Sequence, residues 1–75
     1  MQVTVRYGAT ASITRDFPHG TTYAEVVQQC ASALGYDPTN VNVLSQGEIV
    51  ANQGAYAVPQ DGETIRIEKR AAQKA

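Results

Sequence analysis

Thr22-Tyr23-Ala24-Glu25-Val26-Val27-Gln28-Gln29-Cys30-Ala31-Ser32-Ala33-Leu34-Gly35 is the stretch whose reading decides the fold. Tyr23, Val26, Val27, Cys30, Ala31 and Leu34 recur at steps of three and four residues. That spacing gathers them on one face of a helix, with Glu25, Gln28, Gln29 and Ser32 opposite. Thr22 followed three residues later by Glu25 is a capping-box pattern, which satisfies backbone donors at a helix start. Gly35 stands where a left-handed C-terminal cap is expected, and Asp37-Pro38 prevents continuation. The spacing predicts one helix over 22–34. Having a single apolar face, it needs a partner layer to cover that face.

The flanking sequence supplies the layer. In residues 2–7, Val3, Val5 and Tyr7 alternate with Gln2, Thr4 and Arg6, the period-two pattern of a half-buried strand. After Gly8 a second run over 11–17 sets Ala11, Ile13 and Phe17 inward and Ser12 and Thr14 outward. Arg15 breaks its inward pattern, so a bend or end is expected there. The two runs read as a β-hairpin, stopped by Pro18-His19-Gly20. Downstream, residues 41–44 read as a short strand, 45–48 as a turn and 49–50 as a short returning strand. Residues 51–57 read as a connection with one helical turn around Tyr56. Pro59-Gln60-Asp61-Gly62 is a turn signal, and Ile65 and Ile67 alternate with Thr64, Arg66 and Glu68 in a last strand. Lys69 onward carries no apolar period and reads as a frayed tail. One helix on one face of one sheet is an α+β architecture, with the first and last strands, richest in inward aliphatics, central and adjacent. The expected division is one domain over 1–70 and a tail over 71–75.

The 75 residues comprise 6 Lys+Arg, 7 Asp+Glu, one Cys and one His, with 43% hydrophobic residues. This is enough for one small core and too much for a disordered segment. A net charge of −1 lacks the basic excess that nucleic-acid or anionic-membrane binding uses, so neither partner is expected. One Cys forms no internal disulfide, and one Cys with one His makes no closed zinc site. Apolar runs fall well short of the roughly 20 residues of a membrane helix, and Met1 leads directly into a strand-like segment, so a cytoplasmic location without a signal peptide is expected.

The whole pattern resembles ubiquitin and its β-grasp relatives. Met1-Gln2-Val3-Thr4-Val5-Arg6 is similar to ubiquitin's first strand, and the helix occupies the matching place. Val43-Leu44-Ser45-Gln46-Gly47-Glu48-Ile49 resembles the third strand, its glycine turn and the short fourth strand. Asp61-Gly62-Glu63-Thr64-Ile65-Arg66-Ile67 resembles the final turn and strand, and also bacterial sulfur-carrier proteins. The resemblance implies a mixed sheet of order 2-1-5-3-4 with parallel first and last strands. Modifiers and sulfur carriers of this superfamily act through a C-terminal Gly-Gly that an activating enzyme adenylates. This chain contains no Gly-Gly pair, and its last residues are Lys69-Arg70-Ala71-Ala72-Gln73-Lys74-Ala75. The expected function is therefore protein binding without conjugation. A divergent sulfur carrier or modifier, and a small structural or assembly protein of a phage or mobile element, are the alternatives.

No catalytic constellation emerges, and no cofactor or enzymatic activity is expected. Cys30 lies on the apolar helix face as a buried thiol, His19 sits in a turn without a nucleophile partner, and the glycines are scattered as turns and caps. The protein-binding candidates are Arg6, Leu44 and Arg66, which alternation places on the sheet face away from the helix. Ubiquitin presents an aliphatic residue at the position matched by Leu44, whereas Gly8 and Glu68 replace apolar members of its patch. The outer edge of the second strand is a further place for a partner strand.

Overall fold

Thr22 caps the helix as its spacing predicts. In the computed structural model, which describes residues 1–8 and 10–69, the Thr22 side chain accepts from the Glu25 amide and the Glu25 carboxylate accepts from the Thr22 amide. Helix α1 spans Tyr23–Leu34 and ends at Gly35, whose φ of 82° is the left-handed cap. Its buried residues are Tyr23, Val26, Val27, Cys30 and Ala31, the face set by the three-and-four spacing.

Five strands form the opposing layer: β1 (Gln2–Tyr7), β2 (Ala11–Asp16), β3 (Val41–Ser45), β4 (Glu48–Ile49) and β5 (Glu63–Lys69). Their order is β2-β1-β5-β3-β4, with β1 and β5 parallel and the other pairs antiparallel. Val3, Val5, Val41, Val43, Ile65 and Ile67 point from the three central strands at the helix and are at most 2% exposed. Each such aliphatic contributes about 1.5–3 kcal/mol by leaving water. Tyr36 closes one end of this core, its hydroxyl donating to the Val27 carbonyl.

The second strand ends at Asp16, next to Arg15 as expected, with Arg15 paired to Val3 and its guanidinium donating to the Gln29 carbonyl at 3.4 Å, which accommodates a cation on the helix side of the sheet edge. Three expectations are corrected. The returning strand is Glu48–Ile49, one residue earlier than the apolar pair suggested, because Gln46 and Gly47 both take positive φ (55° and 83°) and close a two-residue hairpin that pairs Ser45 with Glu48. The helical turn in the following connection is a 3₁₀ turn at Ala51–Gly54, upstream of Tyr56, whose ring is 86% exposed. Lys69 belongs to β5, where it pairs with Val41, and is no part of a tail. The expectations for 70–75 lie outside the described residues. No helix among the described residues is long and apolar enough to cross a membrane.

Candidate functional site

The open face of the sheet is built by register. On β1 and β5 the parallel pairing sets Arg6 beside Arg66, and on β5 and β3 the antiparallel pairing sets Arg66 beside Leu44. Leu44 in turn faces Ile49 on β4, and Arg6 faces Ser12 on β2. Directly paired residues share a sheet face. Ser12, Arg6, Arg66, Leu44 and Ile49 thus form one row across all five strands, on the face that α1 does not cover. The three candidates read from the sequence, Arg6, Leu44 and Arg66, are brought together as neighbours. Leu44 is half-buried rather than freely exposed, lying between Arg66 and Ile49 in the row.

Ile49 is the member that sequence reading missed. It is 65% exposed and adds a second aliphatic side chain to the row. A two-residue strand has no period of its own, so only the hairpin register, set by Gln46-Gly47, reveals its direction. The row is basic at Arg6 and Arg66 and aliphatic at Leu44 and Ile49. Arg66 lies 3.7 Å from Glu68, two residues along the same strand face, a surface pair worth little in water. Below the row, the Thr4 and Thr14 hydroxyls bond at 2.8 Å across β1 and β2.

The outer edge of β2 has a definite polarity. Met1 and Phe17 exchange both backbone bonds, at 2.6 and 2.7 Å. Hydrogen-bonded and non-bonded pairs alternate along an antiparallel ladder. Val3–Arg15, Val5–Ile13 and Tyr7–Ala11 are accordingly the bonded pairs, and Ser12, Thr14 and Asp16 direct their amides and carbonyls outward.

A polar network closes the helix-covered face below Tyr23. Tyr23 and Ser45 donate from their hydroxyls to one oxygen of Glu63, at 2.6 and 2.5 Å, and the Gln60 amide donates to the other at 2.8 Å. Burial alone would raise the Glu63 pKa, but these three bonds outweigh it and hold the carboxyl below its ordinary range. Burial, then the neighbouring carboxylate, pushes the Tyr23 phenol up. On the helix, burial raises the Cys30 thiol, which suits an inert core group. Among the described residues, no three His, Cys, Asp or Glu side chains are grouped to hold a metal ion.

No protein-family model matches the chain, and no curated protein matches it in sequence. Solved structures do match in shape. The ubiquitin of Caldiarchaeum subterraneum superposes with a TM-score of 0.76 at 11% identity, covering 99% of this chain and 98% of its own. A designed protein based on the template of human erythrocytic ubiquitin gives 0.74 at 15% identity over 99% and 96%. The N-terminal ubiquitin-like domain of the 4931431F19Rik protein gives 0.74 at 14% identity over 100% and 79%. With the strand order, the parallel central pair and the single covering helix, these likenesses establish that the chain has the ubiquitin-like β-grasp fold.

Proposed function

We propose that this chain is a non-catalytic protein-binding module that docks a partner on the open sheet face through Arg6, Leu44, Arg66 and Ile49. The observation that carries the reading is the cross-strand row itself. Two arginines stand side by side on adjacent strands, an arrangement that disfavours the free sheet by like-charge repulsion. A carboxylate of a partner relieves that repulsion, since guanidinium groups take planar, two-pronged acceptors. Leu44 and Ile49 offer the aliphatic surface that a partner side chain buries beside them. The matching partner is a protein segment with an apolar residue and an acidic residue one strand spacing apart.

A second reading, strand addition at β2, is favoured by the outward amides and carbonyls of Ser12, Thr14 and Asp16. Two variants separate them. Leu44→Asp places a charge on the face, and Thr14→Pro removes an outward amide while leaving the β1 ladder intact. Proteins captured from host extract by the immobilised chain are quantified against each variant. The open-face reading expects capture to fall about tenfold or more with Leu44→Asp and to survive Thr14→Pro. The reverse pattern assigns binding to the edge, and capture unchanged by both refutes the two readings together.

A further inference from the structure

Strand β2 is a free edge of the sheet: among the described residues no strand lies beyond it. Natural edge strands are blunted by bulges, prolines or lysines. Strand β2 has none of these. It pairs residue for residue with β1, from Gln2–Asp16 to Tyr7–Ala11, and its six residues contain no proline and no lysine. Its one cation, Arg15, is turned onto its own helix, where it donates to the Gln29 carbonyl. Ser12, Thr14 and Asp16, all exposed, direct open backbone groups outward.

We propose that this edge pairs with the same edge of a second copy, β2 antiparallel to β2 about a two-fold axis at Thr14. The proposal rests on the edge reading above and names the strand that the edge receives. Bonded pairs form only where outward residues stand opposite outward residues. Centring on Thr14 sets Thr14 against Thr14 and each Ser12 against an Asp16, so every outward residue of β2 is used. Centring on Ile13 leaves Asp16 without a partner in the strand. Centring on Arg15 leaves Ser12 without one and opposes two like charges.

Polarity and charge agree with the Thr14 centre. The Thr4–Thr14 hydroxyl pair of one copy meets that of the other across the axis. Ser12 lies beside Arg6 on the open face, so the second copy's Asp16 falls in line with Arg6. Only the short Ser12 side chain stands between them, over two strand spacings of about 4.8 Å. A carboxylate there offsets the repulsion between Arg6 and Arg66. The contact uses the same patch on both copies, so it closes at a dimer. Directly paired residues share a face, so the two open rows lie side by side on one continuous sheet, with Arg66, Leu44 and Ile49 of each uncovered.

Sedimentation of the full chain at up to ~1 mM protein tests this, alongside amide exchange read by NMR. The native chain is expected to pass from monomer to dimer and no further, and exchange at the Ser12, Thr14 and Asp16 amides to slow as the dimer forms. Thr14→Pro, which removes the central outward amide, stays monomeric. Asp16→Arg and Arg6→Asp each set like charges across the contact and raise the dissociation constant about tenfold or more. Mixed, these two form a one-to-one pair, because opposite charges then meet at both ends. Circular dichroism checks that each variant is folded, and the charge variants decide the matter if Thr14→Pro is not. A native chain that stays monomeric throughout, a dimer whose three amides exchange as fast as the monomer's, or a mixture that pairs no better than its components would each overturn the proposal. The edge reading is judged separately: it survives a monomeric native chain if Thr14→Pro still loses capture from extract.

Discussion

Glu63 shows how one residue can stabilise a fold across a chosen pH range. Its burial alone would favour the neutral acid, yet hydrogen bonds from Ser45, Tyr23 and Gln60 reverse the preference and lower its pKa from the ordinary 4.5. The unfolded chain therefore binds more protons than the native one below that value. The stabilisation is fully present above pH 4.5 and is lost as the pH falls through the lower, native-state pKa. Glu63→Gln keeps an acceptor for Tyr23 and Ser45 but has no titrating group. Urea midpoints measured from about pH 6 down to about pH 3 are expected to fall more steeply for the native chain than for Glu63→Gln. Parallel acid limbs would show that the network does not couple to folding. None of this was legible in the sequence. Residues 23, 45 and 63 sit on three elements, and each in its own stretch reads as an ordinary polar or amphipathic member.

At the level of elements, the docking of the 3₁₀ turn on α1 depends on the absence of a side chain. A Cβ built on Gly54 would lie 2.2 Å from the Tyr23 Cβ and 3.2 Å from the Ala24 amide nitrogen, and the residue has a φ of 77°. The Tyr23 amide meanwhile donates to the Ala57 carbonyl at 2.9 Å, tying the helix start to the same connection. Gly54→Ala is expected to cost about 2–5 kcal/mol, the sum of left-handed strain and overpacking. Gly62 is the internal control. It has a φ of 83° but nothing within 4 Å of an added Cβ, so Gly62→Ala is expected to cost only about 1–2 kcal/mol. Denaturant midpoints compare the two directly, and equal losses would remove the close approach as a cause. The elements with a sustained period were readable: α1 from its apolar face and cap, and β1, β2, β3 and β5 from alternation. What was misread lies where a period has no length to develop. The fourth strand has two residues, and the 3₁₀ turn has four. The strand end near Arg15 was readable, but its side-chain partner was not, because that is a helix carbonyl 14 residues away.

The molecule as a whole covers one sheet face with α1 and leaves the other open, and β3 exposes the division within two adjacent residues. Val43 is 1% exposed, paired with Ile67 and turned toward α1, while Leu44 is half-buried on the face without a helix. The face on which Arg6, Leu44 and Arg66 lie was readable in advance because alternation fixes face even when pairing is unknown. Their adjacency followed only from the register. The same alternation predicts opposite fates for one substitution. Val43→Asp buries a carboxylate among aliphatics without a partner, a loss of roughly 3–5 kcal/mol. For a domain with a single thin core that approaches its entire stability. Circular dichroism is expected to show a largely unfolded chain at neutral pH, and refolding in acid where the carboxyl is neutral. Leu44→Asp instead sets a carboxylate directly opposite Arg66, in contact with water, and is expected to cost no more than about 1 kcal/mol. Its spectrum should match that of the native chain while partner capture falls. If Leu44→Asp unfolded the chain as Val43→Asp does, the open face would be structural, and the division between the two faces would have to be abandoned.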